Sequence, residues 1–168
     1  MEFVKTVQLA TGELPYVVES PYERRREHYL CYQYNAFQFL KLAWLERLRP
    51  SEPVAAVLPG LAKFLAMGVT ASGACAEDCS SHVVEVDYYT AALAAALEAA
   101  ARMGLADRSL SGRAYDRVTA QQKRDGSFIY SKGDYGFLRD SRSYPRPMAM
   151  SLFHLLYGAG AGDGFPKV

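Results

Sequence analysis

Apolar residues along this chain concentrate in three helix-length runs, Tyr34–Leu48, Tyr88–Met103 and Pro147–Tyr157, each preceded by a charged, tyrosine-studded stretch. The first run is apolar on more than one face and stops at Arg49-Pro50. A helix that is hydrophobic nearly all round is one buried on nearly all sides. The second is an Ala/Leu series broken only by Thr90, Glu98 and Arg102, with Gly104 placed just past its C-terminal end. The third opens on Pro147, a residue suited to the first helical position, and ends before Gly158. These runs predict three inner helices. Two further runs keep a polar face and predict outer helices. One opens at Ser51-Glu52-Pro53 and reaches Met67, broken or restarted at Pro59-Gly60; the other is capped by Ser109 or Ser111 and ends near Gln122. Residues Phe3–Leu9 read as the remnant of another outer helix. The two-residue period of a strand occurs only over Val83–Tyr88, so an all-α domain over 1–168 with long ordered loops is expected.

The same order of features recurs three times: a polar glycine-containing turn, a charged loop, then an apolar run. Gly12, Gly73 and Gly126 mark the turns at intervals of roughly 60 and 50 residues, as a helical-hairpin repeat with a variable loop requires. These glycines are expected at equivalent places in three structural repeats.

Composition narrows the class. The chain has 168 residues, half of them hydrophobic, enough for a sizeable core. Its 19 basic and 18 acidic residues leave a formal charge of +1, and Arg24-Arg25-Arg26 is the one dense basic run, so no field gathers a phosphate backbone. Neither a nucleic-acid nor a membrane partner is expected. The segment Met1–Lys5 lacks the apolar core of a secretory signal, and the most apolar stretch, Tyr88–Leu97, is too short to cross a bilayer. Three cysteines fit a reducing compartment better than a disulfide scaffold, and the reading is cytoplasmic.

The turn Gln121-Gln122-Lys123-Arg124-Asp125-Gly126-Ser127-Phe128 resembles the Gln-x-x-x-Asp-Gly-Ser-aromatic signature of the terpenoid cyclase and protein prenyltransferase repeat. That resemblance implies an α/α toroid, inner and outer helices alternating around a cavity. Six hairpins close such a ring and about three are present here, which implies a half ring or open arc. The chemistry of those enzymes is not implied. Where class II cyclases carry Asp-x-Asp-Asp-Thr-Ala, this chain reads Val86-Asp87-Tyr88-Tyr89-Thr90-Ala91, and Asp87-Tyr88-Tyr89 lacks the cysteine of the prenyltransferase zinc motif.

In a toroid the loops ahead of the inner helices converge on one mouth, where such concave folds admit ligands. His28, Tyr29, Tyr32, Gln33 and Asn35 would meet there with Glu85, Asp87, Tyr88 and Tyr89, and with Arg139, Asp140, Arg142, Tyr144 and Arg146. Tyrosine mixed with Asp, Asn and Arg stacks on sugar faces and bonds hydroxyls, whereas long loops use the same residues to satisfy their own backbone. His28 after three arginines is the candidate base, with Glu85 or Asp87 as acid; the plain alternative makes it a loop hydrogen-bonder on a solvated face. Tyr32, Gln33, Asn35, Tyr88, Tyr89, Arg142, Tyr144 and Arg146 are the ligand-binding candidates. Cys75, Cys79 and His82 have spacing that could supply three zinc donors, against the ordinary reading of free cysteines as small hydrophobes. No metal or other cofactor is assigned. His154 reads as a buried, satisfied histidine.

Three functions remain open: a domain binding a small polar, carbohydrate or glycan-like ligand, alone or within a carbohydrate-active enzyme; a non-catalytic helical-repeat assembly module; and a degenerate isoprenoid-binding relative. An arc of three hairpins leaves apolar flanks at Phe37, Trp44, Phe153 and Leu156. A homodimer, a longer toroid partner, or loops and the tail 158–164 folded over the flank would cover them.

Overall fold

The computed structural model describes residues 2–17, 28, 31–79, 84–128, 131–134, 138–140 and 142–158, the two strand segments and residue 158 in backbone only. In chain order the elements are α1 (Glu2–Val7), α2 (Cys31–Leu48), α3 (Glu52–Met67), α4 (Asp87–Arg102), α5 (Arg108–Thr119), β1 (Ser131–Asp134), β2 (Leu138–Asp140) and α6 (Pro145–Gly158). Helices α2, α4 and α6 are the inner set, and α1, α3 and α5 the outer.

The inner helices run the same way. The Phe37 ring of α2 stacks on His154 of α6 at 5.5 Å, and one helical stretch further along each, Trp44 and Tyr157 line one groove. The C-terminal end of α4, at Ala99, Arg102 and Met103, meets that same Trp44 and Tyr157. At the opposite end Cys31, the first residue of α2, accepts the backbone N–H of Cys79 from the segment leading to α4. The three N-termini therefore share one end of the molecule.

Three identical turns feed this arrangement. In Leu9–Glu13, Thr70–Ala74 and Lys123–Ser127 the first N–H donates to the fifth carbonyl at 2.9, 2.9 and 2.7 Å, and the glycine N–H returns to the first carbonyl at 2.8, 3.0 and 2.9 Å. The residue before each glycine, Thr11, Ser72 or Asp125, accepts the N–H of the residue after it. Gln8 and Gln122 each donate to their glycine's carbonyl; Val69 takes that place in the second copy. Gly12, Gly73 and Gly126 have φ of 91°, 86° and 83°, the left-handed conformation that glycine enters without a Cβ clash. The repeat expectation holds at the level of individual hydrogen bonds.

Each of the first two turns leans on the next outer helix. A Cβ on Gly12 would lie 2.1 Å from the Gly60 carbonyl oxygen of α3, and one on Gly73 would lie 2.5 Å from the Arg113 oxygen of α5. Side chains of the inner helices then hold the chain just past the turn: Asn35 bonds both backbone groups of Leu14, and the Thr90 hydroxyl accepts the N–H of Cys75. In the third copy the Ser143 hydroxyl donates to the Phe128 carbonyl.

The structure corrects several boundaries. Helix α3 continues through Pro59 without restarting, because buried Leu58, Leu61, Ala62, Phe64 and Leu65 anchor both sides of the proline. Asp107, not Ser109 or Ser111, caps α5: its carboxylate accepts the Ser109 N–H at 2.8 Å, and this bond holds the carboxyl below the usual range. Ser111 instead bonds Glu98 and so joins α5 to α4. Helix α6 starts at Pro145, two residues earlier than expected. The helix buried on nearly all sides is α4, flanked by α2 and α6 and backed by α5; α2 leaves Trp44 and Leu48 exposed at its C-terminal end. A short antiparallel pair, β1 with β2, precedes α6 where only loop was expected. No described helix is long and apolar enough to cross a membrane.

Candidate functional site

The shared N-terminal end of α2, α4 and α6 is where the sequence places a mouth, and the structure divides the candidates there into buried and exposed groups. Tyr32 is 1% exposed, stacks on Phe64 at 4.9 Å and lies against Gly68, where a Cβ would meet its ring at 2.5 Å. Burial pushes its phenol up. Asn35 is equally buried, with its amide committed to Leu14 and to the Cys31 carbonyl. Both are buried at the start of α2 among these partners. Gln33 is also buried.

Glu85 and Asp87 meet an arginine that sequence reasoning did not single out. Arg117 of α5 reaches Asp87 Oδ1 at 3.0 Å and Glu85 Oε2 at 3.4 Å. The other Glu85 oxygen accepts the Thr70 and Ser72 hydroxyls at 2.8 and 2.7 Å, which fastens the second turn to the start of α4. With Asp87 nearly fully buried, this pair of acids holds the mouth's framework together. The only hint in the sequence was an arginine on the face of α5 shared with Ala114 and Val118.

The carboxylate that reaches His28 is Glu13 of the first turn, not Glu85 or Asp87: Glu13 Oε2 lies 2.7 Å from His28 Nδ1. The Glu13 side chain is wholly buried, while that of His28 is 45% exposed. Of the metal candidates, Cys75 is wholly buried, donates to the Ala76 carbonyl, and has its thiol pushed up by burial. It is an interior hydrophobe. His82 lies outside the described residues, as do Arg24–Arg26, Tyr29 and Val83; Arg139 and Asp140 are described in backbone only. Cys79 turns toward Glu13 and His28 instead, with one donor atom from each within 4.8 Å of the others.

The accessible part of the mouth is aromatic and cationic. Tyr88 and Tyr89 touch through their hydroxyls, with Tyr88 the more exposed. The Arg142 guanidinium lies over the Tyr144 ring at 5.4 Å, and Arg142 and Arg146 are exposed. Tyr16 and Tyr34, missed among the site candidates, pair at 4.9 Å with Tyr16 exposed to solvent. His154 sits away from this mouth, its Nδ1 donating to the Met150 carbonyl at 2.7 Å, and burial depresses its pKa.

No protein-family model matches the chain, and no curated protein matches it. Solved structures do share its fold. A possible GH105 family member from Salmonella enterica serovar Paratyphi A superposes with a TM-score of 0.57 at 17% identity, over 79% of this chain and 39% of that one. A polysaccharide lyase superposes with a TM-score of 0.66 at 11% identity, over 99% of this chain and 54% of that one. The chain is an all-α domain of the α/α-toroid type. It spans about two fifths and about half of the lengths of those two proteins.

Proposed function

We propose that this domain binds a carbohydrate or glycan-like ligand at the mouth formed by the N-terminal ends of α2, α4 and α6. The reading rests on the aromatic and cationic side chains at and ahead of these helix starts: Tyr16 pairs with Tyr34, Tyr88 with Tyr89, Arg142 lies over Tyr144, and Arg142 and Arg146 are exposed. Aromatic faces stack on sugar rings, and guanidinium groups take carboxylates bidentately, so an acidic sugar is the ligand class that uses both. Two fold neighbours described as a possible glycoside hydrolase family member and a polysaccharide lyase support the same direction by analogy of fold.

A thermal-shift screen of neutral sugars, sugar acids and prenyl diphosphates tests this, since a ligand selective for the native state raises Tm. Sugar acids should raise it, and Arg146→Ala should remove the response while leaving circular dichroism unchanged. A response to prenyl diphosphates alone would instead favour an isoprenoid-binding relative of the terpenoid cyclase repeat. Such a ligand would occupy the apolar groove of about 320 Å3 lined by Phe37, Leu40, Trp44, Phe153 and Tyr157.

A second reading, assembly, has its own observation. Trp44, Phe153 and Leu156 are 40, 49 and 50% exposed on the α2 and α6 flanks, whereas Phe37 is partly covered by its stack on His154. A homodimer covering that flank should run at twice 18.6 kDa in light scattering at micromolar concentration, and Trp44→Glu should return it to monomer. A monodisperse monomer across the concentration range excludes it.

A further inference from the structure

We propose that Glu13, His28 and Cys79 bind a zinc ion at the mouth, with Cys31 supporting the sulfur ligand. The three donors come from separate segments: the first turn, the loop ahead of α2, and the segment between α3 and α4. One donor atom of each already lies within 4.8 Å of the other two. Tetrahedral zinc with bonds of about 2.0–2.3 Å sets its donors roughly 3.3–3.8 Å apart. Binding therefore needs a contraction of at most about an ångström around Cys79, while the Glu13–His28 pair opens slightly from 2.7 Å. Thiolate, imidazole and carboxylate together make a borderline-soft set that suits zinc and not magnesium or calcium.

Glu13 sets the first turn apart from the other two. The other two copies of its turn carry Ala74 and Ser127 at that position, and all three turns make the same backbone bonds, so the turn itself does not require a carboxylate. Yet the first copy buries one completely. A buried carboxylate is kept where it meets a cation or a metal, and His28 at 2.7 Å is the partner that the zinc would share with it. A dication among the three would take the Cys79 sulfur as thiolate and offset the Glu13 charge beside it. Cys31 is fully buried behind this sulfur and hydrogen-bonds with Cys79, the position of a residue that orients a ligand. His28, with its side chain 45% exposed, leaves the cluster accessible from solvent.

The test uses the full chain, purified in reductant, stripped of metal and loaded with zinc or cobalt. One equivalent of zinc should remain after gel filtration, and the cobalt form should show a thiolate-to-metal charge-transfer band. Cys79→Ser should abolish both the band and the bound zinc. His28→Ala, at an exposed side chain, should also lose the zinc while retaining the helical circular dichroism, which keeps the test valid if Cys79→Ser does not fold. Cys31→Ser should weaken zinc binding about 10- to 100-fold, the range for a residue that supports a ligand. Failure of the wild-type chain to retain zinc, retention undiminished in His28→Ala, or a cobalt spectrum without the sulfur band overturns the proposal.

Discussion

Gly12→Ala should destabilise the domain by about 3 kcal/mol or more, lowering Tm by roughly 10 °C at this chain length. Two costs combine at this position. The residue holds φ at 91°, and its new methyl would stand 2.1 Å from the Gly60 carbonyl oxygen, a backbone atom that cannot rotate away. Relief requires the first turn to lift off α3, which also strains the Gln8 bonds to the Gly12 and Val57 carbonyls. Gly126→Ala supplies the comparison, because that residue has nearly the same φ, 83°, but a Cβ there meets nothing within 4 Å. It should cost only the conformational term, about 1 kcal/mol. Thermal unfolding of the two variants decides the matter: equal losses would mean that the contact with α3 contributes nothing.

Arg117→Ala should be the second large loss, about 3 kcal/mol. Its guanidinium faces Asp87, whose side chain is 3% exposed, and it also reaches Glu85, which carries the second turn on its other oxygen. Removing the cation takes from a buried carboxylate the guanidinium that it faces and loosens the start of α4. Lysine retains the charge but not the fork that contacts both acids, so Arg117→Lys should recover less than half of the loss. Arg102→Ala, which breaks a more exposed pair with Glu98, should change stability by about 0.5 kcal/mol or less. Urea midpoints measured on the three variants test the ranking, and an Arg117→Ala loss no larger than that of Arg102→Ala would contradict the role given to the network.

Both experiments bear on how the mouth is read. Asp87 and Glu85 suggested acid chemistry because carboxylates beside tyrosines ahead of a helix look like a catalytic group. Their engagement with Arg117 makes them the frame on which Tyr88 is presented. A loss of ligand response in a variant of Asp87 would therefore report on the frame as much as on binding, which is why the exposed Arg146 is the sharper probe.

The repeat was legible in the sequence because its signal is local. A left-handed glycine, a hydroxyl or carboxylate immediately before it and, in the first and third copies, a glutamine four positions earlier act within five or six residues, and local hydrogen bonding needs no tertiary partner to be predictable. Inner and outer helices were legible for a similar reason, since the width of the apolar stripe reflects how many sides are covered. Gly104, in the left-handed conformation at φ 73°, ended α4 where expected. Boundaries set by competition between local and long-range forces were not legible: Pro59 remains helical because its neighbours are buried, and α5 is capped by Asp107 where serines also stood as candidates.

Partnership across the fold was decided by tertiary structure alone. Glu13 carries no local signal of burial, and only the packed fold places it in the interior against His28 and Cys79. Tyr32 and Asn35 read as ligand groups because polar residues at a helix start usually face solvent; here Tyr32 packs on Phe64 and Gly68, and Asn35 bonds Leu14. Cys75 and Cys79 stand close in sequence yet diverge, one into the core and one toward the mouth, because the segment between Val69 and Glu85 pairs its backbone with itself. The sequence by itself determined the helical repeat and the end of the molecule at which the loops gather, since both follow from short-range periodicity and turn chemistry. Which of those loop residues touch one another, and which remain open to a ligand, depends on side chains brought together from segments tens of residues apart, and that only the packed structure decided.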